Sequence, residues 1–430
     1  MTTQTDRQIE GTDDSCSCDD YGNSRRQFLA KALAVTGGAV TTTMFGDTFR
    51  QTAYATTNRN VLVVLSLRGG CDGMSLVVPH GDRGYYAARP NIAVPRESLL
   101  GRDDTFGLHP ALKPLESMWN SDKLAAVHAV GLHQPNRSHF AAIEEVEDAD
   151  AGSAKRSGWI NRLIGLDSAR NPLEAVTIGS GVQPASMYGQ QPTLSTFRAG
   201  DIELGGANDR AGMRLRRRAL QQVWGQTRGP LGIGARSTLA TTAKLGNTLE
   251  RAYRPAHGAR YPQGELGRAM ADSARLIKAR VGVEVVTVDY GSWDMHSALG
   301  KVGSGGESFH NKTANLASAL AAFFTDLGRE GNRVTLVTLT EFGRRLQENG
   351  ARGLDHGWGN ASLLMGAGVR GGKYYGRWPG LGPDELRDGD LKVTTDYRSV
   401  VAEILVKRFG VSTAKVFPGF QPEAVGAIRR

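Results

Sequence analysis

The sequence predicts an α/β protein with a mostly parallel central sheet and helices on both of its faces. Two observations support this. Short, mostly apolar runs rich in Val and Leu, at residues 60–67, 124–130, 283–288 and 334–340, are typical of strands buried on both faces. Longer amphipathic segments lie between these runs, and parallel strands need such helical connections to cross from one strand to the next.

Each element is expected from its local pattern. The first strand stops at the Gly-rich turn over 68–73, and Ser138 is placed as the N-cap of a helix. Residues 184–235 are expected to be irregular and Gly-rich, with one basic helix, within an irregular insertion over about 184–262. The other elements are expected at 111–120 (helix), 124–130 (strand), 138–149 (helix), 175–178 (strand), 264–280 (helix), 283–288 (strand), 311–327 (helix), 334–340 (strand), 362–365 (strand) and 399–409 (helix).

The first 55 residues predict a twin-arginine export signal. Residues 24–29, SRRQFL, form the twin-arginine box, and a weakly apolar stretch follows to about residue 45. Ala53 and Ala55 form a small-x-small cleavage site, so we expect cleavage after Ala55 and one mature domain over 56–430. The twin-arginine export machinery is therefore an expected partner. The expected location is the periplasm, the cell envelope or the extracellular space.

Composition narrows the class of protein further. The formal charge is +9, and removal of the signal leaves about +11, which favours an anionic small-molecule or polymer substrate. No nucleic-acid recognition motif accompanies this charge, and no apolar run is long enough for a stable membrane span. Cys71 is the only cysteine after residue 55, so neither an intramolecular disulfide nor a cysteine zinc cage is expected.

Polar side chains follow each of the four main strands. In an open α/β sheet, ligands bind beyond the carboxyl ends of the strands. Carboxylates and imidazoles at four converging ends predict a divalent-metal site, for one or two ions of Zn, Mn, Mg or Ca. The candidates, in chain order, are Asp72 after the first strand, Arg137, Ser138 and His139 after the second, Asp294 and His296 after the third, and Glu341 and His356 after the fourth.

Long motifs in the mature chain resemble the exported family known as domain of unknown function 1501. They include DYGSWDMHS at 289–297, and the resemblance covers roughly residues 60–409. That family is placed in the alkaline phosphatase/sulfatase superfamily, which implies the same α/β fold. The other segments that carry the resemblance are 65–94, 108–140, 334–381 and 393–405.

The resemblance implies a metal-dependent hydrolase of phosphate or sulfate esters. Ser138 is similar to the superfamily nucleophile, with Arg137 as a clamp for the anionic group and His139 beside them. The metal ligands implied are Asp72, Asp294, His296, Glu341 and His356. Glu341-Phe342 stands where the superfamily has Asp-His, and Asp294 and His296 are more closely spaced than usual. Both departures favour one firmly held metal, or a softer pair of oxygen-bound ions.

Several of these residues have a purely structural alternative. Ser138 can serve only as an N-cap, Asp72 can order the Gly-rich turn, and Glu341 can pair with Arg344 or Arg345. His296 can support the site without binding metal. The alternative function is a non-catalytic binding or assembly protein of the envelope, built on a phosphatase-like scaffold.

Overall fold

The protein is described here from a computed structural model. The structure describes residues 41–42, 60–149, 156–166, 171–203, 206, 209–249 and 252–430. All of these lie in one compact unit, Val40–Arg430. The predicted export signal lies outside the described residues, apart from Thr41–Thr42.

A mixed, mostly parallel sheet runs through the centre of this unit. Its order is β1-β7-β6-β8-β2-β9-β10-β5-β11, and β14 also pairs with β5. Two further pairs, β3 with β4 and β12 with β13, lie outside it. The strands are β1 Thr41–Thr42, β2 Val61–Ser66, β3 Val77–Val78, β4 Gly107–Leu108, β5 Leu124–Gly131, β6 Ala175–Ile178, β7 Leu194–Thr196, β8 Val285–Asp289, β9 Val334–Leu339, β10 Asn360–Gly366, β11 Tyr374–Tyr375, β12 Leu386–Arg387, β13 Asp390–Leu391 and β14 Thr395–Asp396.

The direction of the strands determines where the site forms. β7, β6, β8, β2 and β9 are parallel neighbours, whereas β10 runs antiparallel to both β9 and β5. β5 therefore points the same way as β2, β8 and β9. The carboxyl ends of these four strands meet at one edge of the sheet, as the sequence predicted.

Helices cover the sheet and fill the longer connections. A 3₁₀ segment, Pro110–Leu115, leads into α3, and a π-helical turn, Leu405–Phe409, follows α10. The helices are α1 Gly73–Leu76, α2 Arg83–Ala88, α3 Glu116–Asn120, α4 His139–Asp148, α5 Trp159–Ile164, α6 Arg210–Trp224, α7 Pro230–Leu249, α8 Glu265–Lys278, α9 Phe309–Leu327 and α10 Tyr397–Ile404.

The central strand β2 is buried on both faces. Val61 and Val63 belong to a core that includes apolar residues of α8 and α9, whereas Leu62 and Val64 belong to a second core with α5 and α10. Burying each such side chain contributes roughly 1.5–3 kcal/mol to folding. The predicted arrangement, a mostly parallel sheet with helices on both faces, is confirmed.

The insertion differs from the prediction in one respect. The basic helix is present as α6, but a second helix, α7, follows it. The glycines of α7 made that segment resemble a loop, although Pro230 at its first position is a favourable helix start. None of the described helices is both long enough and apolar enough to cross a membrane.

Candidate metal centre

The Gly-rich turn after β2 sets the position of two candidate residues. Gly69 has a φ of +105°, and a Cβ there would lie 2.8 Å from the backbone nitrogens of Trp293 and Asp294. Only glycine allows this approach. The Gly69 N–H also donates to Glu341 Oε1 at 2.8 Å. One turn therefore holds Asp294 and Glu341 at the same edge of the sheet.

Asp294 Oδ1 is surrounded by imidazole nitrogens. It lies 3.0 Å from His296 Nε2, 3.1 Å from His356 Nε2 and 3.4 Å from His139 Nε2. Arg344 donates to the same oxygen at 2.7 Å. Ligand atoms of His139, Asp294 and His356 all lie within 4.8 Å of one another, close enough to share one ion.

The far side of each imidazole has a fixed acceptor. His356 Nδ1 lies 2.9 Å from the Arg137 carbonyl oxygen, which can only accept, so this nitrogen carries the proton. His296 Nδ1 lies 3.0 Å from Asp355 Oδ1, and His139 Nδ1 lies 2.8 Å from Glu341 Oε1. A histidine that donates from Nδ1 to such an acceptor presents the lone pair of Nε2 to a metal.

The carboxylates of Asp294 and Asp355 remain ionised well below neutral pH. Burial raises the pKa of Asp294, but the hydrogen bonds and charge of its cationic and imidazole neighbours outweigh it and lower that pKa to about 2. Hydrogen bonds from His296 and Asn349 lower the pKa of Asp355. Asp355 can therefore only accept at neutral pH, which assigns the proton to Nδ1 of His296.

The resulting donor set fits a cation. His296 Nε2 and His356 Nε2 lie 2.9 Å apart. When both imidazoles are neutral and carry their protons on Nδ1, the lone pairs of these two Nε2 atoms face each other. His139 Nε2 is buried and makes no hydrogen bond within the part of the chain that the structure describes. Several nitrogen lone pairs and one carboxylate oxygen at such spacing suit a metal ion.

Glu341 contacts Nδ1 of His139. It is not one of the three residues whose ligand atoms lie within 4.8 Å of one another, which are His139, Asp294 and His356. It is 3% exposed, and its carboxylate accepts hydrogen bonds from Gly69, His139 and Thr340. Neither of the cations considered as partners pairs with it: Arg344 contacts Asp294, and Arg345 contacts Asp390. The arrangement is a carboxylate–histidine pair of the kind that orients a metal ligand.

We expect Glu341→Gln to weaken the binding of Zn²⁺ by about 10- to 100-fold, because the amide orients His139 less firmly than the carboxylate does. Competition with a chromophoric chelator measures the change in the dissociation constant. Glu307→Gln, at an exposed position, is the matched control. An unchanged constant in Glu341→Gln would show that Glu341 does not orient a ligand.

The Asp72 carboxylate is held by Arg89 and Ser75 and does not belong to the group of His139, Asp294 and His356. Arg89 donates to both carboxylate oxygens, Nη1 to Oδ2 at 2.5 Å and Nη2 to Oδ1 at 3.1 Å. Asp72 Oδ2 also accepts from Ser75 N at 2.9 Å and so caps α1. Both residues of the ion pair are buried, at 2% and 0% exposure. The geometry thus agrees with the structural alternative for Asp72, ordering of the turn.

Asp72→Ala should lower the free energy of unfolding by about 3–5 kcal/mol, because it leaves the Arg89 guanidinium buried without a counter-charge. Urea denaturation measures this loss. The double variant Asp72→Ala with Arg89→Met should lose clearly less. If folded Asp72→Ala also lost its bound metal, Asp72 would be a ligand after all.

Arg137 and Ser138 lie at the start of α4. Arg137 donates Nε to Asp390 Oδ2 at 3.0 Å, and Nη2 contacts the same oxygen, so its guanidinium is already paired. Burial raises the pKa of Asp390, with Arg137 acting against that shift. Ser138 occupies the N-cap position, but its hydroxyl makes no capping hydrogen bond. The predicted capping role is therefore not performed, and the Ser138 side chain is exposed.

Two supporting residues, Arg344 and Asp355, were not among the candidate site residues, and Arg137 contributes through its backbone carbonyl, a role that was not expected. Arg344 is 1% exposed and ties Asp294 to the carbonyls of Gly69 and Gly70. Asp355 and the Arg137 carbonyl orient His296 and His356. The adjacency of Asp355 to His356 was a usable signal for the carboxylate. A backbone carbonyl leaves no signal in sequence.

The comparisons with known proteins give a family and remote structural neighbours. A family model described as "Protein of unknown function (DUF1501)" matches residues 59–417. No curated protein matches the sequence.

Three solved structures are similar to the chain. The C-terminal periplasmic domain of EcEptC from Escherichia coli has 11% identity and a TM-score of 0.35, covering 86% of this chain and 89% of that one. The same domain in complex with Zn has 10% identity, coverage of 73% and 74%, and a TM-score of 0.31. A protein in the alkaline phosphatase superfamily from Vibrio parahaemolyticus has 10% identity, coverage of 74% and 62%, and a TM-score of 0.31. These low scores give no information about the metal centre.

Proposed function

The chain belongs to the DUF1501 family of unknown function, and we propose that it is a metal-dependent hydrolase of phosphate or sulfate esters. One observation carries the proposal: imidazole Nε2 atoms of His139, His296 and His356 converge on Asp294 Oδ1. The alkaline phosphatase/sulfatase placement, which the sequence resemblance implies, is part of the same proposal.

The donor set favours one ion of the zinc class. Imidazole nitrogens suit Zn²⁺ and its transition-metal neighbours, whereas Mg²⁺ and Ca²⁺ prefer all-oxygen sites. His139, Asp294 and His356 would hold the ion, with His296 as the adjacent donor. Such an ion, when bound, lowers the pKa of a nearby hydroxyl or water and withdraws charge from an ester oxygen.

Ser138 is the proposed nucleophile. It immediately precedes His139, and its hydroxyl is not occupied by capping. The first amides of the ten-residue helix α4 lie next to it, and a helix N-terminus favours an anionic phosphoryl or sulfuryl group. Because Asp390 already holds the Arg137 guanidinium, we assign Arg137 to fixing this loop and His356, not to clamping the substrate.

The reaction balances with one water. Ser138 Oγ forms a bond to phosphorus or sulfur, the ester bond to the alcohol breaks, and the serine proton leaves with the alcohol. Water then attacks the phospho- or sulfo-serine, regenerates the hydroxyl and releases phosphate or sulfate.

Export belongs to the same proposal. The predicted twin-arginine signal would deliver the folded, metal-loaded protein across the membrane through the twin-arginine export machinery. Cleavage after Ala55 would leave the mature protein in the periplasm, the cell envelope or the extracellular space, where its positive charge favours an anionic substrate.

Metal removal tests the proposal. We expect the purified mature protein to hydrolyse p-nitrophenyl phosphate or p-nitrophenyl sulfate, to lose that activity after treatment with EDTA, and to regain it with Zn²⁺. The thermal midpoint of the treated protein shows that it is still folded. Absence of activity with every metal tested, on a folded protein, would contradict the proposal.

A non-catalytic binding or assembly protein of the envelope is the second candidate. It is favoured by the two internal ion pairs, Asp72 with Arg89 and Arg137 with Asp390, because they occupy groups that the hydrolase template would use. On this alternative the metal is structural, and removing it lowers stability without affecting any ester hydrolysis.

A further inference from the structure

A cavity is lined by segments that neighbour those of the metal centre in the chain. Its volume is about 600 Å³, large enough for a small polar ligand. Its wall combines three arginines and two carboxylates with neutral hydrogen-bonding side chains. The lining includes Gln134, Trp358, Arg377, Arg387, Asp396 and Arg398.

Residues that line the cavity are close in the chain to residues of the metal centre. Trp358 is two residues after His356, so their Cα atoms lie within about 7 Å of each other. Gln134 lies on the segment that leads from β5 to Ser138. The β12–β13 hairpin bridges both features, because its Arg387 guanidinium lies 5.1 Å from the Trp358 ring centre and its Asp390 holds Arg137.

The cavity carries positive charge that the protein does not neutralise internally. Arg398 forms a two-point pair with Asp396, at 3.0 and 2.8 Å, so these charges cancel. No carboxylate of the described residues forms an ion pair with Arg377 or Arg387. Glu423 is the one other carboxylate in the lining, which leaves a net positive charge. Guanidinium groups of this kind bind carboxylates and phosphates in two-point contacts.

We propose that this cavity binds an anionic group, a carboxylate or a phosphate, on the sugar-sized part of the substrate that extends away from the ester. The inference rests on the proposed function for its role in substrate choice. Arg387 and Arg377 supply the charge, while Gln134, whose Oε1 lies 3.5 Å from Arg387 Nη1, can offer its amide N–H groups to sugar hydroxyls. The protein would then select a hydrolysable ester that carries a second negative charge.

Calorimetric titration of the mature protein after EDTA treatment, which prevents hydrolysis of the phosphate ester, tests the inference with three probes: glucuronate, glucose 6-phosphate and neutral glucose. We expect saturable binding of at least one anion, and at least about tenfold weaker binding of glucose. The first two probes distinguish a carboxylate from a phosphate site. Arg387→Gln should weaken anion binding by about tenfold, and the combined Arg377→Gln and Arg387→Gln variant should weaken it further.

Two further variants separate the cavity from the metal centre. Arg329→Gln changes an exposed arginine just before β9, at the opposite end of that strand from the site, and should bind as the wild type does. His296→Ala should keep anion binding even if it loses metal. Binding retained in His296→Ala, with no ester hydrolysis by the wild type, would contradict the proposed function and leave the cavity assignment intact.

Two results would overturn the cavity assignment. One is anion binding that survives Arg387→Gln but is lost in His296→Ala, since the anion would then lie on the metal centre. The other is no saturable anion binding by the wild type, or equal binding of glucose.

Discussion

Ser138→Ala is expected to lower the rate of ester hydrolysis by at least about 10³-fold, because it removes the atom that forms the covalent intermediate. The metal content should not change, since the hydrogen bonds that the described residues make to His139, Asp294 and His356 do not involve the Ser138 hydroxyl. Initial rates on p-nitrophenyl phosphate and p-nitrophenyl sulfate measure the loss.

Ser117→Ala is the matched control for this variant. Ser117 is exposed and lies in the first turn of α3, which leads into the amino end of β5, the opposite end of that strand from Ser138. It should keep the wild-type rate. If Ser138→Ala retained a tenth or more of the wild-type rate, the nucleophile would be water and not Ser138.

The combined variant Asp294→Ala and His356→Ala should lose all activity and all stabilisation by metal. At a hundredfold excess over the dissociation constant, a bound ion stabilises the native state by about 2.7 kcal/mol. We therefore expect added Zn²⁺ to raise the thermal midpoint of EDTA-treated wild type and to leave that of the variant unchanged.

The control for this pair replaces the same residue types at exposed positions, Asp104→Ala with His257→Ala. It should respond to Zn²⁺ as the wild type does. An equal rise of the midpoint in the Asp294 and His356 variant would mean that Zn²⁺ stabilises the protein at some other place.

The fold was predictable because its central strands are continuous apolar runs. β2, β8 and β9 were each placed to within about two residues, since burial on both faces leaves no charged residue inside them before the carboxyl end. The reversed direction of β10 was not predictable. An apolar run has the same pattern in either direction, and the connection from β9 to β10 carries the site loop instead of a helix.

The candidate site was predictable in its location but not in its roles. Asp294, His296 and His356 were expected together because they follow β8 and β9, and the structure brings them together. The roles of Glu341 and His139 depend on whether the carboxylate or the imidazole faces the metal position. Sequence does not decide this, because either residue type can bind a metal or orient a residue that does. Asp72 pairs with Arg89, seventeen residues along the chain, which sequence spacing alone does not reveal.

We propose that His139, Asp294 and His356 hold one metal ion, with His296 as the adjacent donor. Metal content of the purified mature protein, measured by mass spectrometry on wild type and on the combined Asp294→Ala and His356→Ala variant, tests it most directly. We predict about one equivalent of a zinc-class metal in the wild type and close to none in the variant. No bound metal in a folded, active wild type, or equal metal in both proteins, would contradict the claim.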